Sequence, residues 1–149
     1  MMPKVHRQAL LPYPPEALFD VVHRVEDYPV FVPHIRDVVV TPVAENELIA
    51  RVQLDSAALG GFFATRNRWE RPHWLKMQLE EGPLSYLQGQ WRFEAVGDSG
   101  CRVTLDLDFD FANRLIGLAF SRVFGHLVGQ LFDAFVQRSR EVCSDKQNS

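Results

Sequence analysis

Two adjoining segments decide the fold: CRVTLDLDFDF, from Cys101 to Phe111, and NRLIGLAFSRVFGHLVGQLFDAFVQRSREV, from Asn113 to Val142. The first alternates apolar and polar residues with a period of two, which is typical of an antiparallel strand with one buried face. The second changes to the helical period and carries an apolar stripe opposite a polar one. The apolar stripe consists of Ile116, Phe120, Phe124, Leu127, Leu131 and Phe135. Because so long an amphipathic helix needs a broad apolar surface, we expect it to lie across one curved sheet.

The composition is that of an ordinary globular protein. The chain has 149 residues, of which 46% are hydrophobic and 23% are charged, and its formal net charge is −3. A free, sequence-independent nucleic-acid binder is normally basic, so we expect no binding to free DNA, although a local patch would still allow docking on a ribosome. The two cysteines are too few for a disulfide framework.

The start of the chain shows no targeting signal. Charge and proline interrupt the opening segment MMPKVHRQALLPYPP, and no apolar run approaches the roughly 20 residues of a membrane span. We therefore expect one cytoplasmic domain over residues 1–149, with a frayed tail from about residue 144. Peripheral contact with the inner membrane remains an open alternative.

The predicted order of elements is one strand, two short helices, six strands and the long helix. Pro15 is well placed to begin a helix over residues 16–24, and Pro29 and Pro33 limit the next segment to a short, bent helical turn. The predicted strands cover residues 3–11, 35–42, 47–55, 62–71, 73–80, 86–96 and 101–111. Consecutive strands with short turns predict an antiparallel meander and an α+β fold.

Five segments in this order resemble one superfamily. They are LPYPPEALFDVV, VEDYPVFVPHI, FATRNRWE, EGPLSYLQGQWRF and CRVTLDLDFDFANRLIGLAFSRVF. Their order and spacing resemble the helix-grip, START-like superfamily, and within it the family of ribosome-association toxins and coenzyme-Q-binding START proteins. The resemblance covers nearly the whole chain.

The resemblance implies a START/Bet v 1-like fold, with a curved antiparallel sheet wrapped around the C-terminal helix and a lipid-sized cavity between them. It implies that the chain binds ubiquinone or a related prenyl lipid in support of respiration, with no other cofactor required. Association with the large ribosomal subunit, as in toxins that block subunit association, is the alternative. An oligoketide or polyketide cyclase activity is the third.

The residues themselves favour a binder over an enzyme. The chain has no GxSxG elbow, phosphate-binding glycine loop, HExxH or CxxC motif. Asp106, Asp108 and Asp110 alternate on one strand about 6.6 Å apart, which is too wide for a compact metal site, so pairing with Arg92 or Arg102 is favoured. The same alternation turns the strand acids outward. We therefore expect a cavity without a strand-borne acid or base, no catalytic residue and no metal.

The inward phase of the strands predicts the ligand-binding residues. Thr65 and Asn67 alternate with Phe63 and Trp69, so these polar groups bond either a ligand carbonyl or each other, the backbone and water; the sequence leaves both alternatives open. The expected cavity measures a few hundred Å³. Its predicted lining is Phe63, Thr65, Asn67, Trp69, Met77, Gly89, Trp91, Phe93, Phe109, Phe120 and Phe124.

Two further patterns have alternative interpretations. Arg66, Arg68 and Arg92 fall on the outward phase, which makes them candidates for contact with ribosomal RNA because phosphates require exposed positive charge. In the long helix, small residues recur every four positions, which indicates either close packing on a neighbouring element or a groove left for a ligand. These small residues are Gly117, Ser121, Gly125 and Gly129.

Overall fold

Seven strands form one antiparallel sheet in the computed structural model, which describes residues 4–55 and 61–147. The strands are β1 (Lys4–Leu11), β2 (Ile35–Ala44), β3 (Glu47–Leu54), β4 (Phe62–Glu70), β5 (Trp74–Glu81), β6 (Leu84–Val96) and β7 (Gly100–Phe111). Their order in the sheet is β1-β7-β6-β5-β4-β3-β2. The strands from β2 to β7 therefore follow one another as the predicted meander, and β1 pairs with β7 at the far edge.

The helices also follow the predicted order. They are α1 (Pro15–His23), a 3-10 turn (Val25–Asp27), α2 (Tyr28–Phe31) and α3 (Arg114–Gln147). Pro15 occupies the first turn of α1, where its missing N–H costs no hydrogen bond. The Oδ1 atom of Asn113 accepts a hydrogen bond from the backbone N–H of Leu115 at 2.9 Å and so caps the start of α3. The predicted α+β, helix-grip fold is confirmed.

The long helix lies with its apolar stripe on the sheet. Phe124 and Leu127 are buried, and Leu131 faces the interior. The side chains of Ile116 and Phe120 fall outside the described residues, so their predicted positions remain predictions. The residues predicted to lie on the polar side are exposed: Arg122, His126, Asp133 and Arg140. In the described ranges, no helix combines the length and the apolar character needed to cross a membrane.

The helix extends beyond its predicted end at Val142 and continues to Gln147. The expected frayed tail from residue 144 is therefore helical through this point. Ser144, Asp145 and Lys146 include neither glycine nor proline, so nothing in this segment interrupts the helical hydrogen bonds.

The glycines of α3 bring the helix close to the edge of the sheet. A β-carbon at Gly129 would lie 3.0 Å from Nη2 of Arg7, and one at Gly125 would lie 3.8 Å from Val5. Both neighbours belong to β1, which therefore runs against the glycine side of the helix. These contacts favour close packing over a ligand groove as the reason for the glycine repeat.

His23, at the end of α1, is packed between two aromatic rings. Its imidazole stacks on Phe19 with the ring centroids 5.5 Å apart, and it meets the ring of Trp69 edge-on at 4.4 Å. Among the described residues, the buried Nε2 atom has no hydrogen-bond partner. Burial lowers the pKa of His23 below its ordinary value of 6.5, although the nearby carboxylates of Glu26 and Asp20 act in the opposite direction.

This histidine predicts a loss of stability in acid. Because the pKa of His23 is lower in the folded chain than in the unfolded chain, the unfolded state binds more protons near and below pH 6.5. The contribution is fully present above pH 6.5 and is lost as the pH falls below it. We expect His23→Phe to flatten the decline of the melting temperature between about pH 7 and pH 5.

His126→Phe provides the control, since it makes the same substitution at an exposed position on the polar side of α3. If the His23 variant loses stability in acid as steeply as the unmodified protein, protonation of this ring does not contribute to the decline.

Candidate functional site

An apolar cavity lies between α3 and the concave face of the sheet. Its volume is about 90 Å³, and the recess around it reaches about 720 Å³ when space open to solvent is included. The volume of the cavity itself is therefore smaller than the predicted few hundred Å³. The lining residues are Val25, Tyr28, Ile35, Ala50, Val52, Phe63, Thr65, Asn67, Leu75, Met77, Leu87, Trp91, Leu105, Leu107, Phe124, Val128 and Leu131.

Strand register explains how distant residues meet in this wall. Asn67 of β4 pairs with Met77 of β5, Met77 pairs with Gly89 of β6, and Gly89 pairs with Leu107 of β7. Residues paired in this way lie side by side on the same face of a sheet. Since Gly89 lacks a side chain, the side chains of Leu107 and Met77 extend over its Cα. A β-carbon at Gly89 would lie 2.6 Å from Cδ1 of Leu107 and 2.9 Å from Cε of Met77.

The structure brings six of the predicted ligand-binding residues into the wall. They are Phe63, Thr65, Asn67, Met77, Trp91 and Phe124. Gly89 is buried behind the side chains of Met77 and Leu107 and does not line the space itself. The side chain of Phe120 lies outside the described residues, so its role remains a prediction.

The structure places three predicted aromatic residues elsewhere in the core. Trp69 packs on His23, and Phe93 meets Phe19 of α1 with the ring centroids 5.6 Å apart. Phe109 lies against Phe124 at 4.6 Å and contributes to the layer behind the cavity wall. All three face inward as predicted, but inward residues near α1 pack on that helix rather than border the cavity.

Sequence reasoning missed much of the aliphatic wall. Ala50, Val52, Leu105 and Leu107 share the inward phase of their strands, so the same alternation would have identified them. Val25 gave no comparable signal, since its position over the sheet depends on how the chain turns after α1.

The polar groups of the wall are bonded locally. The Oγ1 hydroxyl of Thr65 donates to Oδ1 of Asn67 at 2.8 Å, as in the alternative in which the two residues bond each other. The hydroxyl of Tyr28 donates to the carbonyl oxygen of Val22 at 2.6 Å. Burial raises the pKa of Tyr28 well above its ordinary value of 10, so the phenol stays neutral. Among the described lining residues, Tyr28 is the one ionisable side chain.

This wall suits a neutral, apolar molecule. A charged group placed in it would lose its hydration without gaining an ionic partner from the described lining. Its polar contribution is limited to a few hydrogen-bonding groups, which can orient a ligand but are poorly suited to general acid–base chemistry.

The outward arginines are held by carboxylates of neighbouring strands. Arg66 donates two hydrogen bonds of 3.1 Å to Glu80 and a third to Glu47, and Arg68 bonds the other oxygen of Glu47 at 2.9 Å. The hydrogen bond from Arg66, with support from Arg68, lowers the pKa of Glu47. This network neutralises both arginines, which makes them less available to phosphates than the sequence alone indicated.

Asp106 pairs as predicted. Its Oδ2 atom accepts a hydrogen bond from Arg92 at 3.1 Å, and its Oδ1 atom is bonded to His6 of β1. Within residues 4–55 and 61–147, no three His, Cys, Asp and Glu side chains are grouped in a way that would hold a metal ion.

Comparisons with known proteins give one family and one group of relatives. Residues 11–136 match the family described as polyketide cyclase / dehydrase and lipid transport. The ribosome association toxin RatA of Escherichia coli strain K12 is 35% identical over 144 residues, which cover 97% of this chain and 91% of the toxin. The RatA protein of Pseudomonas aeruginosa is 37% identical over 142 residues, covering 95% of this chain and 99% of that protein.

Solved structures show the same fold. The Zhui aromatase/cyclase of a Streptomyces strain superposes with a TM-score of 0.82 at 16% identity, covering 95% of this chain and 96% of the cyclase, which supports the fold alone. An 18 kDa protein from Caulobacter crescentus superposes with a TM-score of 0.74 at 28% identity. The match covers 96% of this chain and 99% of that protein.

Proposed function

Because this chain belongs to the polyketide cyclase / dehydrase and lipid transport family, we propose that it binds a neutral, hydrophobic small molecule between its sheet and α3. The observation that carries the proposal is the apolar cavity, whose wall combines aliphatic and aromatic side chains with the bonded pair Thr65 and Asn67. The function is binding or carriage in the cytoplasm rather than catalysis.

The ligand we propose is ubiquinone or a related prenyl quinone. Its flat ring suits the aromatic walls formed by Phe63, Trp91 and Phe124, and its carbonyls suit a wall with few polar groups. The cavity volume of 90 Å³ is smaller than that of an ordinary ligand site, roughly 300–1,000 Å³. Binding therefore requires side chains such as the flexible Met77 to move, with the tail lying in the outer recess.

Extraction of the purified protein with organic solvent, followed by mass spectrometry, tests this proposal. We expect a prenyl lipid in an amount comparable to that of the protein. Gly89→Ala is the variant to compare with the unmodified protein, because the new methyl group would push the ends of Leu107 and Met77 into the cavity. The folded variant should retain less lipid. Extracts with no apolar compound from either protein, and no uptake from membrane lipids, would contradict the proposal.

Ribosome association is the second candidate function. The RatA relatives of Escherichia coli and Pseudomonas aeruginosa align along nearly the whole chain. Arg7 and Arg122 are exposed and belong to none of the ion pairs of the described chain. Arg7 lies against Gly129, and Arg122 precedes that glycine by two helical turns, so both are on one side of α3. Unpaired cations of this kind suit phosphate contacts.

Removing one of these cations tests the second candidate. If the chain binds ribosomes through this side of α3, Arg122→Gln should reduce the fraction that sediments with ribosomes, because one phosphate contact is lost. Arg66→Gln is the matched control, since Arg66 is already occupied by Glu47 and Glu80. Equal loss in both variants would place the ribosome contact elsewhere.

A further inference from the structure

A second recess opens on the surface where α1, α2 and α3 meet. Its volume is about 80 Å³, close to the 90 Å³ of the cavity under the sheet, and it widens to about 440 Å³ when space open to solvent is included. The two spaces have no lining residue in common. The recess is therefore a separate site, and its size suits a small molecule.

One part of the recess wall is apolar. Ala17 and Val21 lie one turn apart on α1, Phe31 ends α2, and Val142 comes from α3. Ala17, Val21 and Phe31 are partly buried and pack against the hydrophobic core. This part of the wall can take up an apolar group of a ligand and remove it from water.

The other part of the wall carries charged groups, and only some of them are occupied. Asp20 is held by Arg71, whose Nε and Nη2 atoms donate to its two carboxylate oxygens at 3.0 and 3.1 Å. Arg24 and Asp27, in contrast, belong to none of the ion pairs of the described chain. The recess thus presents one cation and one anion that do not neutralise each other.

Arg138 of α3 adds a second guanidinium to this wall. Its Cζ atom lies over the ring of Phe31, 5.4 Å from the centroid. Within the ranges that the structure describes, its one ion pair is a long contact of 4.0 Å with Glu141. A guanidinium placed over an aromatic ring keeps its N–H groups at the edge of its plane, where they can bind a carboxylate.

We propose that this recess binds a free α-amino acid with an apolar side chain. The carboxylate pairs with Arg24 and Arg138, the ammonium group pairs with Asp27, and the side chain lies on the apolar part of the wall. A simple carboxylic acid would bring a second negative charge next to Asp27, and a simple amine would leave both arginines without a partner. A molecule that carries both charges satisfies all three groups. The inference does not depend on the proposed function, because the recess and the cavity are separate.

Four probes test the three contacts on the unmodified protein. They are L-leucine, isocaproate, which lacks the ammonium group, isoamylamine, which lacks the carboxylate, and glycine, which lacks the side chain. Titration of each into the isotope-labelled full chain, followed by NMR, gives its dissociation constant and its location. We expect L-leucine to shift the amide signals of α1, α2 and the end of α3, and to bind about tenfold more tightly than each analogue, since each has lost one contact.

Variants assign the two charged contacts. Asp27→Asn should abolish the preference for L-leucine over isocaproate, and Arg138→Gln should reduce the preference for L-leucine over isoamylamine. Glu26→Gln and Arg140→Gln are the matched controls, because they remove the same charges from exposed residues that do not line the recess. Both preferences should remain in these controls.

The remaining outcomes decide against the inference. Equal affinities for L-leucine and isocaproate would show that the ammonium group makes no contact and would overturn it. Shifts confined to residues of the cavity under the sheet would place the amino acid in the other site and would also overturn it. So would the absence of any shift at millimolar L-leucine. These results come from the unmodified protein, so they hold even if a variant does not fold.

Discussion

Replacing Trp91 with alanine should lower the free energy of unfolding by about 3–5 kcal/mol, the range typical of an aromatic residue removed from a packed core. Trp91 is 2% exposed. Its ring lies 5.8 Å from that of Phe132 and 5.1 Å from that of Phe135, both on α3. Truncation would therefore remove the main aromatic contact between β6 and the long helix and enlarge the adjacent cavity.

Equilibrium unfolding in urea measures this loss, and Trp74→Ala provides the same change on the outer face. Trp74 is partly exposed and has Lys76 Nζ 4.7 Å from its ring centroid, so its removal creates no internal cavity. We expect a much smaller destabilisation for this control. Similar losses for the two variants would mean that α3 does not depend on Trp91 for its attachment to the sheet.

The second large effect is expected at Gly89. Gly89→Glu would direct a carboxylate between Leu107 and Met77, into the apolar side of the sheet. A buried charge without a partner destabilises a protein by on the order of 4 kcal/mol, so we expect severe loss of stability together with loss of apolar ligand uptake. Thermal unfolding and solvent extraction measure the two effects separately.

Gln88→Glu is the matched control because it introduces the same charge one residue earlier on β6. Gln88 is exposed on the outer face, so its carboxylate would remain hydrated and cost little. If Gly89→Glu is as stable as the control and still takes up an apolar ligand, the inward direction of position 89 is wrong.

Periodicity was sufficient to predict the order of the elements and the face on which most side chains lie. The alternation on β4 places Thr65 and Asn67 inside and Arg66 and Arg68 outside, and the structure has all four on those faces. This works because the direction of a side chain depends on its own position along a strand or helix, which is a local property of the chain.

The partners of these side chains were not predictable in the same way. Arg66 is neutralised by Glu47 of β3 and Glu80 of β5, which reach it through the register of three strands. The sequence identified outward cations, but whether a cation is free depends on carboxylates that are distant along the chain. For this reason we propose Arg7 and Arg122 as the contacts of the second candidate function, while the predicted contacts at Arg66, Arg68 and Arg92 stay predictions.

The amino-acid sequence by itself determined the strand meander, the covering helix and the inward set of residues, because each follows from a repeat of two or 3.6 residues. Only the tertiary structure decided which inward residues border empty space. Trp69 and Phe93 lie under α1, whereas Asn67 and Met77 lie under α3 beside Gly89. The physical reason is that a cavity is the volume left unfilled by several elements together, so its size and lining depend on how their side chains pack against one another.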